Sequence, residues 1–141
     1  MSSLNCTASA MRIRSIPRRV LIVLTVLIGS VWIFHGLYSK LLNGIPRHRE
    51  IVGRVLGTER AVPVTMGVGA LEVMLGLWAL SRRRRRECAL VQTLAIAAMN
   101  ALEIARARDL LLSAPGMLLL NAAFLAVVWV WALAPDAKSD R

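Results

Sequence analysis

The segment that most constrains the fold is the apolar run over residues 61–80, AVPVTMGVGALEVMLGLWAL, in which Glu72 is the one charged residue. Its 20 residues, at about 1.5 Å each in a helix, match a hydrocarbon layer about 30 Å thick. Five consecutive arginines follow at residues 82–86. Because arginine is costly in lipid, this run ends the span and marks one side of the membrane.

Three further apolar blocks resemble this one and cover residues 20–38, 88–105 and 116–134. The helices of a soluble four-helix bundle would each show a charged face at helical spacing, and none of these blocks does. Only helices or closed barrels satisfy their own backbone in lipid, and blocks of 18 to 20 residues suit helices. The sequence therefore predicts an all-α, integral membrane four-helix bundle.

The segment before the first span is basic and rich in serine, and we expect residues 1–17 to form a flexible arm. Together with residues 20–28, this arm resembles a secretory signal peptide. The apolar run continues to Phe34, however, and no small-residue cleavage site follows, so we predict an uncleaved first span. One membrane domain over residues 18–134 and a polar tail over 135–141 complete the predicted organisation.

The distribution of basic residues predicts the orientation. With the N-terminus inside, the cytoplasmic segments hold 11 lysines and arginines and the exterior loops hold seven. Both termini are therefore expected in the cytoplasm. The net charge of +10 is carried by residues that flank apolar spans, which favours contact with lipid headgroups over nucleic acid.

The longest predicted loop, residues 40–60, contains an amphipathic stretch. Ile51, Val55 and Leu56 fall on one side of residues 47–57 and charges fall on the other. This pattern suits a short helix at the membrane interface, and a solvated loop equally well, so both stay open.

The two cysteines, Cys6 and Cys88, form no C-x-x-C pair, and their spacing from the two histidines does not suggest zinc. We expect reduced, unreactive thiols and no metal site. The lack of paired cysteines also argues against a thiol oxidoreductase.

Every predicted span carries a polar residue, and under the predicted orientation most of them fall in the exterior half of the membrane. They are His35, Lys40, Glu72, Asn100, Glu103 and Asn121. Helical spacing places Gly69 and Glu72 on one face of the second span, and Asn100 and Glu103 on one face of the third. The sequence therefore predicts a polar pocket in the exterior half of the bundle.

Small residues predict close helix packing on the same two spans. Gly69 and Gly76 lie beside Glu72 and would let a neighbouring helix approach. Ala97, Ala101 and Ala105 form an edge of small residues on the third span.

Glu72 is expensive in this setting, at about 2.5–3.5 kcal/mol for a charged acid at the centre of a membrane helix. One interpretation is a protonated carboxyl that hydrogen-bonds a neighbouring helix and serves only packing. The other is a group that binds a ligand or handles protons, which is the usual role of acids within membrane spans. The sequence leaves both open.

The other polar residues also have structural interpretations. Lys40 could extend to the lipid headgroups. Glu103 could pair with Arg106 on the next turn. Asn100 and Asn121 could simply bond between helices.

A haem site is disfavoured. His35 could be an axial ligand, but a bis-histidine haem needs a second histidine at similar depth, and His48 is expected in a loop. A quinone is compatible with the pocket, and Trp32 is placed to stack beside it.

Several segments of the chain resemble those of a known family. Residues 32–42 (WIFHGLYSKLL), the loop residues 46–50, residues 67–76 (GVGALEVMLG) and Asn121 are similar to the DoxX-like family of membrane proteins, over about residues 18–134. The resemblance implies a four-helix integral fold in a bacterial cytoplasmic (inner) membrane. It also implies association with redox systems, since relatives include a small subunit of a terminal quinol oxidase and a partner in a membrane oxidoreductase complex. The matching positions are His35, Gly36, Lys40, Glu72 and Asn121.

Three functions compete. The first is a non-catalytic accessory subunit of a redox or quinone-linked complex, in which Glu72 and His35 face a quinone headgroup. The second is a proton-coupled transporter that uses Glu72, and the third is a purely structural assembly subunit. The expected partners are the lipid bilayer, redox-complex subunits or a second copy of the chain, and no nucleic acid.

Overall fold

The computed structural model describes residues 16–135 of the chain. Most of the predicted arm, Cys6 and nearly all of the predicted tail lie outside these residues.

Helices account for most of the described residues, and no strand occurs among them. Helix α1 (Arg18–Ile33) continues without interruption into a π-helical segment (Phe34–Leu41), and together they form the first span. The helices that follow are α2 (Arg47–Leu56), α3 (Thr58–Ser81), α4 (Arg85–Arg106) and α5 (Ala114–Leu133). The first span, α3, α4 and α5 are each long and apolar enough to cross a membrane, which confirms the predicted four-span, all-α fold.

The bundle has two ends that differ in structure. We call the end that carries α2 and the connection between α4 and α5 the α2 end. The opposite end, where residues 82–86 join α3 to α4, is the arginine end. Arg82 and Arg84 adopt left-handed backbone conformations there, with φ of 55° and 51°, which turn the chain sharply between the two helices.

The first span packs extensively against α3 through glycines. A Cβ atom added to Gly69 would lie 2.8 Å from the carbonyl oxygen of Gly36, and one added to Gly76 would lie 2.8 Å from that of Gly29. The backbones therefore approach to a separation that a side chain would prevent, as the glycines beside Glu72 predicted.

The predicted alanine edge on α4 does not make a comparable contact. Ala97, Ala101 and Ala105 are all exposed on the surface of the bundle. The partner of α4 is α5, and hydrogen bonds between polar side chains join these two helices. The prediction that this edge would pack within the bundle is wrong, because the polar stripe on α4 faces inward and turns the alanines outward.

At the arginine end, tryptophans donate hydrogen bonds across the bundle. Trp131 donates to the hydroxyl of Thr25 at 2.8 Å, which joins α5 to α1, and Trp129 donates to that of Thr93 at 3.2 Å, which joins α5 to α4. Arg85 donates to the backbone oxygens of Trp131 and Ala134 at the end of α5. These bonds satisfy groups that would otherwise be buried without partners.

The stretch over residues 47–57 is helical, which decides between the two structures that its sequence allowed. Helix α2 packs against α3 and α4, and Ile51 on its inner side is only 6% exposed. Gly57, with φ of 94°, makes the turn into α3. The amphipathic pattern of α2 therefore buries its apolar side against the bundle.

Candidate functional site

A cavity of about 570 Å³ lies between the helices toward the α2 end. Its size is within the range of about 300–1,000 Å³ that is typical of ligand sites. All seven predicted site residues line it: Trp32, His35, Lys40, Glu72, Asn100, Glu103 and Asn121. They come from the first span, α3, α4 and α5, so the cavity is a property of the bundle and not of any single helix.

A buried ion pair connects the first span to α3. Both carboxylate oxygens of Glu72 accept hydrogen bonds from the Lys40 ammonium at 2.8 Å. The two side chains are only 9% and 6% exposed. The Lys40 ammonium matches the charge of Glu72, and it is a partner that sequence reasoning did not identify.

The structural interpretation of Lys40 as a headgroup contact is wrong. The Cα–Cβ bonds of a helix tilt toward its N-terminus, so the side chain of Lys40 points into the bundle and away from the nearby membrane surface. Gly69 provides the room, since a Cβ atom there would lie 2.9 Å from the Cβ of Lys40. The aliphatic stem therefore passes α3 at Gly69, and the ammonium reaches Glu72 one turn deeper.

The π-helical segment determines which residues face the cavity. Its i→i+5 hydrogen bonds bring residues five apart nearly above one another, whereas an α-helix does so for residues three or four apart. His35 and Lys40 are five apart, and both line the cavity. Single-turn π-helices are frequent at functional sites.

An amide pair lies on the opposite wall. Asn121 on α5 donates to the side-chain oxygen of Asn100 on α4 at 2.7 Å. The interhelical bond that the sequence allowed is therefore present, and it leaves one N–H of Asn121 without a side-chain partner among residues 16–135. Both residues are half-buried and line the cavity.

Trp32 lies on the cavity side that faces the arginine end. Its indole N–H donates to Gln92 at 2.7 Å, and its ring contacts Phe124 edge to face, with centroids 6.4 Å apart. The residue is 4% exposed. Because its donor is already used, Trp32 offers a ligand an apolar ring.

Glu103 does not form the predicted pair with Arg106. Among residues 16–135 its carboxylate has no ion pair or hydrogen bond, and it faces the cavity together with Arg47 of α2. Arg47 was not among the predicted site residues, because its position in an undecided loop gave no indication of which way it faces.

His48 is a second residue that sequence reasoning missed. It lies in α2 and not in a loop, and its ring contacts that of His35 edge to face, with centroids 6.5 Å apart. Burial, and then the charge of Lys40, lowers the pKa of His48 to about 4, so the ring is neutral near pH 7. Within the described part of the chain, no three His, Cys, Asp or Glu residues are grouped so as to hold a metal ion.

The formal charges around the cavity balance. Lys40 and Arg47 are matched by Glu72 and Glu103, with both lining histidines, His35 and His48, counted as neutral. The cavity is thus polar but carries no net formal charge, although the chain as a whole carries +10.

A smaller cavity of about 130 Å³ adjoins the main one between α2, α3 and α4. The two share Lys40, His48, Ile51, Met99 and Glu103 as lining residues. The rest of the smaller lining is aliphatic and comes from residues such as Val55, Val68 and Leu102. The polar main cavity and the largely aliphatic smaller cavity therefore adjoin at Lys40.

Comparison with known proteins identifies one family. The family model of the DoxX-like family matches residues 29–129. That range includes every residue of the predicted site. No curated protein and no solved structure matches the chain.

Proposed function

The chain belongs to the DoxX-like family, and from this premise we propose that it is a small membrane subunit that binds a quinone headgroup and accompanies a redox complex. We place it in a bacterial cytoplasmic membrane, with the α2 end on the exterior side, where the lysine and arginine count is lower. The association with redox systems follows from the resemblance.

The observation that carries the proposal is the lining of the cavity. A polar half, with the Lys40–Glu72 pair and the Asn100–Asn121 pair, faces an apolar half with Trp32 and Phe124. A quinone headgroup has this division, since carbonyl oxygens lie at its edge and its faces are apolar. Ligand sites typically combine apolar walls with a few placed polar groups.

The available donors suit carbonyl oxygens. Lysine has three N–H groups, and two of those on Lys40 are accounted for by Glu72. Asn121 keeps one N–H that no described residue accepts, and a neutral His35 would offer one more. These donors lie on different walls of the cavity, so a ring between them could be held at both of its oxygens.

The charge balance favours this function over the main alternative, a proton-coupled transporter that uses Glu72. A transporter that binds lipophilic cations through Glu72 needs that carboxylate to be free, and Glu72 is already paired with Lys40 at 2.8 Å. A neutral cavity favours a neutral ligand, because binding an ion would leave its charge unmatched. Proton-driven uptake of a lipophilic cation into vesicles would instead support the transporter.

Binding can be tested by fluorescence. A benzoquinone added to the purified protein should quench the fluorescence of Trp32. Asn121→Leu should weaken the affinity obtained from this quenching by about tenfold, the effect of losing about 1.4 kcal/mol. Thr93→Val is the matched control, because Thr93 is polar but does not line the cavity. Trp32→Phe should remove most of the signal.

The absence of quenching in the wild type at saturating quinone would overturn the proposal. Equal weakening by Thr93→Val would show that Asn121→Leu acts through stability and not through the site. The accompanying role is tested by purification in mild detergent. We expect a redox subunit to co-purify, and a purely structural subunit with no bound small molecule would contradict the proposal.

A further inference from the structure

We infer that the cavity takes a lipid-soluble ligand with a polar head and a long apolar chain, and that this ligand enters from the bilayer through a gap between the first span and α5. The inference rests on the proposed headgroup site and names the class of ligand and its route. A ligand that enters from water at the α2 end would need no chain.

Among the described residues, the first span and α5 are joined toward the arginine end. Trp131 bonds to Thr25 there, and Trp32 meets Phe124 about two turns further along. Beyond Phe124, no hydrogen bond, ion pair or ring contact links these two helices in the part of the chain that the structure describes. The π-helical segment packs extensively on α3 but not on α5, so the two helices separate toward the α2 end, alongside the cavity.

The gap lies within the membrane-spanning length. Leu120 lines the cavity although it is 72% exposed on the surface of the bundle. It lies six residues after the start of α5, or about 9 Å along the helix. A side chain that belongs to both the cavity wall and the lipid-facing surface marks an opening toward acyl chains.

The adjoining apolar cavity is too small for a long chain, since its volume is about 130 Å³ against about 570 Å³ for the main cavity. A chain attached to a head between Lys40 and Asn121 would therefore leave through the gap. The apolar chain of the ligand then remains in the bilayer, and only the head moves from the lipid into the cavity.

The experiment changes the width of the gap by substituting one residue, Leu120. Leu120→Trp places a larger side chain in the opening, and Leu120→Ala removes bulk from it. Leu119→Trp is the matched control, because Leu119 is also 72% exposed but does not line the cavity. The probes are two benzoquinones with one dimethoxy-methyl head, one with a decyl chain and one without. Calorimetry in lipid nanodiscs measures binding, and titrations of empty nanodiscs are subtracted.

We expect Leu120→Trp to weaken binding of the decyl quinone by about tenfold more than that of the tail-less quinone. Leu119→Trp should leave both affinities within about twofold of the wild type. Leu120→Ala should not weaken binding of the decyl quinone more than that of the tail-less quinone. Continued binding of the tail-less quinone shows that Leu120→Trp is folded.

Equal effects of Leu120→Trp on the two quinones, or equal effects of Leu119→Trp and Leu120→Trp, would overturn lateral entry while leaving the headgroup site intact. If the wild type binds neither quinone, the proposed function fails and this inference fails with it. The two failures are therefore distinguishable.

Discussion

The two ends of the bundle differ in how fully their buried polar side chains are hydrogen-bonded. At the arginine end, Trp131, Trp129 and the buried amide of Gln92 all take part in hydrogen bonds, and the network joins α1, α4 and α5. At the α2 end, the carboxylate of Glu103 and the buried hydroxyls of Ser39 and Thr65 have no hydrogen-bond partner among the described residues.

This difference separates two uses of polar groups in lipid. A fully paired network holds helices in one arrangement, because every alternative arrangement would leave groups unsatisfied. Of the unpaired groups, Glu103 lines the cavity and keeps its capacity for a ligand, whereas Ser39 and Thr65 do not line it. The arginine end therefore fixes the bundle, and we expect the α2 end to bind.

The largest effect is expected when the buried ion pair of Lys40 and Glu72 at the α2 end is broken. Glu72→Leu leaves the Lys40 ammonium buried alone and should lower the free energy of unfolding by about 3–5 kcal/mol. The double variant Lys40→Met, Glu72→Leu should recover most of this loss, because apolar replacements of a buried pair are often neutral. Denaturant unfolding in detergent measures both.

A control for this prediction is the exposed pair of Arg54 and Asp109, whose side chains are 53% and 60% exposed. Arg54→Met should change stability by no more than about 1 kcal/mol. A double variant at Lys40 and Glu72 that is as unstable as Glu72→Leu would mean that the loss does not come from an unpaired Lys40 ammonium.

The next effect concerns the close helix contact beside the ion pair. Gly69→Ala would place a Cβ atom 2.8 Å from the Gly36 carbonyl oxygen and should destabilise by about 1–3 kcal/mol. Gly67→Ala is the control, because nothing lies within 4 Å of the added atom. It should be neutral or stabilising by up to about 1 kcal/mol. Equal thermal stability of the two variants would contradict the contact.

A sharper comparison replaces one threonine with valine at each end of the bundle. Thr25→Val removes the acceptor of the Trp131 N–H and should destabilise by about 1–3 kcal/mol, the effect of an unsatisfied buried donor. Thr65→Val removes a hydroxyl that has no partner within the described part of the chain and should be neutral or stabilising. The difference between the two unfolding free energies is the measurement. A larger loss for Thr65→Val would reverse the distinction between the ends.

The last effect is a pH dependence of stability, which is small near pH 7 and grows as the pH falls. The pKa of His48 is lowered from 6.5 to about 4, mainly by burial. As the pH falls, the unfolded chain binds a proton near 6.5 and the folded protein does so only near 4, so stability decreases across that window. His48→Gln should flatten this part of the stability curve. Identical curves for His48→Gln and the wild type would show that His48 is not buried as described.

Much of the site could be predicted because membrane solvation acts on each residue separately. Glu72, Asn100 and Asn121 are too costly in lipid to face outward, so their presence in apolar spans already indicated an inward position. Arg47 and His48 gave no such signal, because α2 lies outside the spans and either of its possible structures was acceptable in water.

The partners within the site could not be predicted in the same way. The π-helical segment turns Lys40 toward the same side as His35, and no residue type in residues 34–41 demands that geometry. The glycine contact then decides how far the ammonium reaches along α3. The pairing of Lys40 with Glu72 depends on both features.

By itself, the sequence determined four apolar helices, their approximate limits and the concentration of polar residues toward one end. Length and hydropathy suffice for this, because transfer into lipid depends on each segment alone. Only the tertiary structure decided which helices adjoin, which charges pair and where a cavity remains. These depend on contacts between residues far apart in the chain, such as Lys40 with Glu72 and Asn100 with Asn121.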